Sequence, residues 1–249
     1  MEPMRLFSMI LSLVPAPATQ PATRPAELKL KAGDQIVAMG DSITQAGGYL
    51  RAMDAVFAQQ YPGLKVPKII NTGIGGQKAE DMAARFEKDV VSRKPSIVTV
   101  SVGVNDVWHR MANPHDPKVL EAYERNVERM VKMARKAGAR VYLLAPTVIE
   151  EDAASEGNKR LALYVAAGKK VAERNKCEYV DLYALFLKAI EKRSKDSKSG
   201  DRFFTTDGVH MKPTGDALMA VGVLRALGVP DERINATDLE KVFPKAGQP

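Results

Sequence analysis

Short apolar runs alternate along this chain with longer segments whose apolar residues recur every three or four positions. Gln35-Ile36-Val37-Ala38-Met39 reads as a buried strand. Tyr49 to Tyr61 follows, with Leu50, Met53, Val56 and Phe57 near helical spacing, and Pro62-Gly63 ends it. Val66 to Ile70 is a second short strand, running into the turn Asn71-Thr72-Gly73-Ile74-Gly75-Gly76. Glu80 to Val91 is amphipathic, Ile97 to Val102 is a buried strand, and Trp108 to Pro117 is a polar loop. Val119 to Lys136 carries a clear helical stripe through Leu120, Tyr123, Val127, Met130, Val131 and Ala134. Val141 to Ala145 is a strand, Leu161 to Lys176 a helix, and Tyr179 to Asp181 a strand. Helices then run from Leu182 to Arg193 and from Thr214 to Leu227, the last with Thr214 as its expected N-cap.

Strands alternating with helices in this way predict a mostly parallel sheet of about five strands, covered on both faces: an α/β fold, a three-layer α/β/α sandwich. In such sheets ligands bind beyond the carboxyl ends of the strands. Ser42, the Gly73–Gly76 turn, Asn105 and Thr147 each follow a strand, so they are expected along one edge. No internal repeat or second domain is evident.

Composition changes this picture little. The chain has 249 residues, 45% hydrophobic and 27% charged, which is an ordinary globular profile. The net charge of +7 comes from Lys and Arg scattered among Asp and Glu, with aromatics at only 6%. That pattern reads as a solvated basic surface and not as a nucleic-acid-binding face, although it also suits attraction to anionic polymers. The single cysteine, Cys177, allows no intrachain disulfide and no cysteine metal cluster. At the N-terminus, Arg5 precedes the apolar stretch Leu6 to Val14 and then Pro15-Ala16-Pro17-Ala18. This order predicts a signal peptide over residues 1–18, a Pro/Ala/Thr-rich linker over 19–27, and one domain with a C-terminal tail over 28–249. The expected location is secreted or periplasmic. The apolar stretch is too short for an integral membrane segment, which needs about 20 residues.

The candidate chemistry lies at the strand ends. Ser42 sits between a strand and a helix, where a hydroxyl is exposed; from this residue alone a helix-capping serine fits equally. It is not in a Gly-x-Ser-x-Gly elbow, because position 44 is threonine. Asp207 and His210 share a short turn with Gly208, so the carboxylate can reach one ring nitrogen while the other faces outward. Asn105 can donate a side-chain amide to a developing oxyanion, or close an Asx-turn. The glycine turn can expose a backbone N–H, or serve as a tight turn only. Trp108 reads either as a pocket wall or as packing under its loop, and His109 and His115 read as surface residues. No residue spacing supports a metal site, and no cofactor motif is present.

Taken together, Gly40-Asp41-Ser42-Ile43-Thr44, Asn71-x-Gly73-x-Gly75-Gly76, Gly103-Val104-Asn105-Asp106 and Asp207-Gly208-Val209-His210 occur in an order that resembles the SGNH (GDSL-like) esterase/lipase superfamily. The likeness runs from about Leu28 to about Leu227. It implies a flavodoxin-like sandwich and a serine esterase that works through an acyl-enzyme, without a metal or cofactor. By that resemblance Ser42 would be the nucleophile, His210 the general base and acid, and Asp207 its orienting partner. The oxyanion hole would comprise the N–H groups of Ser42 and Gly76 and the amide of Asn105. Gly73 and Gly75 are the alternatives to Gly76. Asp41 and Asp106 read as local structural hydrogen-bonders.

The expected partner is a small-molecule or polysaccharide ester, O-acetyl esters of carbohydrates first. A lysophospholipase or thioesterase would carry the same motifs. A reading from another class is a non-catalytic carbohydrate- or nucleotide-binding domain. Neither Gly-x-Gly-x-x-Gly nor a P-loop lysine is present, which argues against a nucleotide binder. The sequence does not set the oligomeric state.

Overall fold

A computed structural model describes residues 6–15, 27–196 and 201–243. The expected cleavage point after Ala18, the linker 19–27 except Glu27, and the last six residues of the tail lie outside the described residues.

Five parallel strands form one sheet in the order β2-β1-β3-β4-β5: β1 (Ile36–Met39), β2 (Ile70–Asn71), β3 (Ile97–Ser101), β4 (Arg140–Leu144) and β5 (Glu178–Val180). The described helices are α1 (Leu6–Leu13), α2 (Ser42–Ala46), α3 (Gly48–Gln60), α4 (Ala79–Asp89), α5 (Val104–Trp108), α6 (Pro117–Lys136), α7 (Glu156–Arg174), α8 (Leu182–Asp196), α9 (Pro213–Ala226) and α10 (Asp231–Asn235). Helices α3, α8 and α9 pack together on one side of the sheet, and α4, α6 and α7 on the other. β1 and β3 are buried at every position, as central strands of a two-sided sheet must be. The strand order is that of flavodoxin-like sheets, and it reverses direction between β1 and β3. The segments after β1 and β3 place Ser42 and Asn105 beyond the strand ends at that reversal, where such sheets bind ligands.

Several element bounds differ from the sequence reading. Strand β2 begins at Ile70 and not at Val66, and it pairs only through Ile70 and Asn71. Pro67 has no N–H to give a ladder, and β2 lies at the sheet edge. Thr214 is not the cap of α9: Lys212 holds that position, and the Thr214 hydroxyl donates instead to the Phe203 carbonyl. Helix α6 starts two residues early, because Asp116 accepts the Lys118 N–H and Pro117 suits the first turn. Helix α1 packs on α9, α8 and α10, with Phe7 and Ile10 fully buried. Among the described residues no helix is long and apolar enough to cross a membrane.

Three buried carboxyls accept N–H groups in the first turns of α2, α3 and α4, and all are expensive to ionise. Burial pushes Asp41 and Asp216 up to about 6 and Asp106 up to about 7, against the N–H groups of Ile43, Tyr49 and Ala79 that they accept. A carboxyl with a higher pKa in the folded state binds its proton more tightly there. The stability this adds is complete below the ordinary value of 3.8 and is lost as pH rises through about 6 to 7. Calorimetry is therefore expected to give a higher Tm at pH 5 than at pH 8, by at least about 4 °C, since about 1 kcal/mol moves a chain of this size by about 2–4 °C. An equal or higher Tm at pH 8 would contradict the burial of these groups.

Candidate active site

Ser42 is the first residue of α2. Asp41 caps that helix by accepting the Ile43 N–H at 3.0 Å, so the sharp exit from β1 is held without using the serine side chain. The Ser42 amide, like the other first N–H groups of a helix, has no backbone partner among the described residues. Its hydroxyl lies 3.0 Å from His210 Nε2. The other ring nitrogen, Nδ1, lies 2.6 Å from Asp207 Oδ2. The remaining Asp207 oxygen accepts the N–H groups of Val209 and His210 at 3.0 and 2.8 Å. Burial alone would raise the Asp207 carboxyl, but those two N–H groups and the imidazole outweigh it and hold it down at about 2. Asp207 therefore stays ionised well below the ordinary carboxylate range. With its carboxylate on Nδ1–H, Nε2 is left to accept from the Ser42 hydroxyl.

The three glycines of the β2 turn are not equivalent. The Gly73 N–H donates to Asn71 Oδ1 at 2.9 Å, and the Gly75 N–H donates to Gln45 Oε1 at 2.8 Å. The Gly76 N–H has no partner among the described residues, and its φ of 75° lies where a side chain is disfavoured. Gly73 matters for a different reason. A Cβ there would fall 2.3 Å from the Gln45 amide nitrogen, so only glycine lets this turn lie against α2. Asn71 closes the same junction by donating to the carbonyls of Thr44 and Gln45.

Asn105 lies in α5, directly beyond β3, and is 2% exposed. One hydrogen of its amide is donated to the Gln77 carbonyl at 3.1 Å, beside Gly76, and Nδ2 carries a second. The structure thus joins Ser42, Asp207 and His210 by direct hydrogen bonds and ties Asn105 to the glycine turn. Thr147 also follows a strand end, but it is buried with its hydroxyl unpartnered among the described residues and gives the group no hydrogen bond. Asp41 caps α2 and is a local structural group, as expected, whereas Asp106 accepts the N–H of Ala79, 27 positions away, and so joins α5 to α4.

Trp108 lies beside His210. Its ring meets His210 edge-on, with centroids 5.7 Å apart. His109 is exposed, as expected, yet its Cε1 lies 3.6 Å from where a Gly76 side chain would begin. His115 is half-buried and lines a separate cavity of about 290 Å³ with Arg110, Arg160 and Tyr164. Side-chain exposures of 38% for His210 and 45% for Asp207 make the site shallow and open to solvent. Sequence reasoning missed Gln45, which pins the glycine turn, and Glu151, which grips the segment before Asp207. Neither stands in a motif. Glu151 looks in sequence like one more acidic residue in a solvated run.

Comparisons with known proteins give the family. The family described as "GDSL-like Lipase/Acylhydrolase family" matches residues 38–218. An acetylxylan esterase of Geobacillus stearothermophilus is 26% identical over 219 residues, covering 81% of this chain and 97% of the relative. The structure of a catalytic mutant of Axe2, an acetylxylan esterase from the same organism, superposes with a TM-score of 0.73 at 25% identity, covering 82% of this chain and 98% of that one. Axe2 has been solved as catalytic mutants of a serine, an aspartate and a histidine, the last two three positions apart. The acetyl xylan esterase AlAXEase superposes with a TM-score of 0.70 at 30% identity, covering 77% of this chain and 98% of that one. With the family match spanning most of the chain and the serine, histidine and aspartate hydrogen-bonded in series, the chain belongs to the GDSL-like lipase/acylhydrolase family and is a carboxylic ester hydrolase.

Proposed function

We propose that Ser42 is the nucleophile of this esterase, that His210 is its general base and acid, and that Asp207 orients and charge-stabilises His210. The observation that carries this reading is the hydrogen-bonded series from Ser42 Oγ through both ring nitrogens of His210 to Asp207, at 3.0 and 2.6 Å. His210 Nε2 takes the hydroxyl proton as Ser42 Oγ attacks the acyl carbonyl. The tetrahedral oxyanion is held by the N–H groups of Ser42 and Gly76 and by the second amide hydrogen of Asn105. Gly76 is preferred to Gly73 and Gly75 because, of the three, its N–H is the one without an acceptor among the described residues. The alcohol leaves with the proton from His210, and water repeats the sequence on the acyl-enzyme.

The substrate class is O-acetyl esters of carbohydrates, carried on xylan-like polysaccharides. The acetylxylan esterases among the relatives support this, and so does the shallow site: a short acyl group on a large polymer needs an open approach. An ester panel tests it. Acetylated xylan and p-nitrophenyl acetate are expected to be cleaved with kcat/KM at least about a hundredfold above p-nitrophenyl palmitate and lysophosphatidylcholine, about 3 kcal/mol of discrimination. A preference for either long-chain substrate would replace this reading with a lipase or lysophospholipase.

The chain is exported, with residues 1–18 as its leader. The basic, apolar, Ala-x-Ala order supports this. Expression in an export-competent bacterium, followed by N-terminal sequencing, is expected to give Thr19 as the first residue. An extracellular product still carrying Leu6 to Leu13 would mean that α1 is a permanent part of the fold.

A further inference from the structure

Asp207 and His210 stand at the tip of a small hairpin whose Phe204 and Val209 are buried in the core, with Phe204 edge-on to Phe186 of α8. Its arms are joined by the Thr205–Met211 bridge and by the bonds Thr206 N–H to His210 O and Lys212 N–H to Phe204 O, each 2.8 Å. To this packing the loop after β4 adds a hydrogen-bonded grip on the hairpin's base. The Glu151 carboxylate accepts the N–H of Phe203 at 2.8 Å on one oxygen. On the other it accepts the N–H of Phe204 at 2.8 Å, and both the N–H and the hydroxyl of Thr205 at 2.7 Å. Nearer the tip, the Glu150 N–H donates to Gly208 O at 2.8 Å, and the Glu150 side chain is paired with Arg202.

This loop is itself held rigidly. Asn158 is fully buried in the first turn of α7; it accepts the Ile149 N–H and donates to the carbonyls of Glu150 and Asp152. Glu150 has a φ of 68°, a conformation that costs a non-glycine residue about 1 kcal/mol or more. Such an outlier persists only where the surroundings over-determine it. Here it turns one acidic residue toward the hairpin tip and the next toward its base.

We propose that Glu151 is a positioning residue for the His210–Asp207 pair: by binding three consecutive N–H groups it sets the hairpin at the height and angle that bring Nε2 to the Ser42 hydroxyl. The inference rests on the roles proposed above for His210 and Asp207. It assigns Glu151 no contact with the substrate.

Glu151→Gln keeps the length of the side chain but leaves one acceptor oxygen for four donors. It is expected to lower kcat for p-nitrophenyl acetate by about 10- to 100-fold, the scale of a misplacement of about 1 Å, with KM within about twofold of wild type. The rate of labelling by a fluorophosphonate probe should fall in parallel, since that step also needs an activated Ser42. Thr205→Val removes one of the four bonds and leaves the carboxylate in place. It is expected to cause a smaller loss of the same kind, and it provides the test if Glu151→Gln does not fold. His210→Ala is measured alongside. Wild-type kcat and labelling in folded Glu151→Gln or Thr205→Val, with His210→Ala inactive, would overturn the positioning role alone. A rise in KM at unchanged kcat would also overturn it. Wild-type turnover in His210→Ala would instead remove the base assignment on which the inference stands.

Discussion

Ser42→Ala is expected to lower kcat for p-nitrophenyl acetate by about 10⁴-fold or more and to abolish labelling by a fluorophosphonate probe. The loss should be chemical and not structural. The Ser42 hydroxyl makes its bond to His210, whereas the start of α2 is held by Asp41, so the substitution leaves the fold's own hydrogen bonds in place. Stability should change by no more than about 0.5 kcal/mol, as for a surface change away from any cap or core contact. His210→Ala should cost a comparable factor, and Ser42→Ala/His210→Ala should be hardly worse than either single change, because the two groups act as one unit. Residual catalysis should persist, since the proposed oxyanion donors and the binding surface remain. Full multiplication of the two single losses in the double variant would mean independent roles and would break the nucleophile–base pairing.

The features of this fold that could be read from sequence are those with a long period or a fixed order. The stripe through Tyr123, Val127 and Val131 marks α6 because both its apolar face and its solvated face are long enough to show a 3.6-residue repeat. The four motif blocks were legible through their order, although each is ambiguous alone. What stayed hidden is short or depends on contacts distant in the chain. Helices α2 and α5 have five residues each, less than two turns, so periodicity cannot reveal them. Yet these two helices present Ser42 and Asn105. Which glycine keeps a free N–H is set by Gln45, thirty positions from Gly75, and no local rule points to that pairing. Glu151 is hidden for the same reason: its donors lie more than fifty positions away. Thr214 shows the opposite error, where a good local capping residue is drawn off by the carbonyl of Phe203.

Asn105→Ala is expected to lower kcat by about 10²- to 10³-fold while KM changes little. The asymmetry follows from when the bond forms. A planar carbonyl carries little charge, whereas the tetrahedral oxygen carries nearly a full one, so a donor placed for the latter contributes only as the barrier is crossed. The variant has a second, separable effect. The Asn105 amide also donates to the Gln77 carbonyl at 3.1 Å, and removing it takes that partner from the segment holding Gly76. That loss is worth about 1 kcal/mol, or about 2–4 °C in Tm, far too little to account for a thousandfold change in turnover. Asn105→Asp separates the two effects further. It preserves the shape but sets a carboxylate oxygen where the donor stood, so repulsion should drive kcat below that of Asn105→Ala. Measured kcat and KM for all three proteins, beside their melting curves, decide the matter. A raised KM with unchanged kcat, or an Asn105→Asp variant as active as wild type, would place the oxyanion elsewhere.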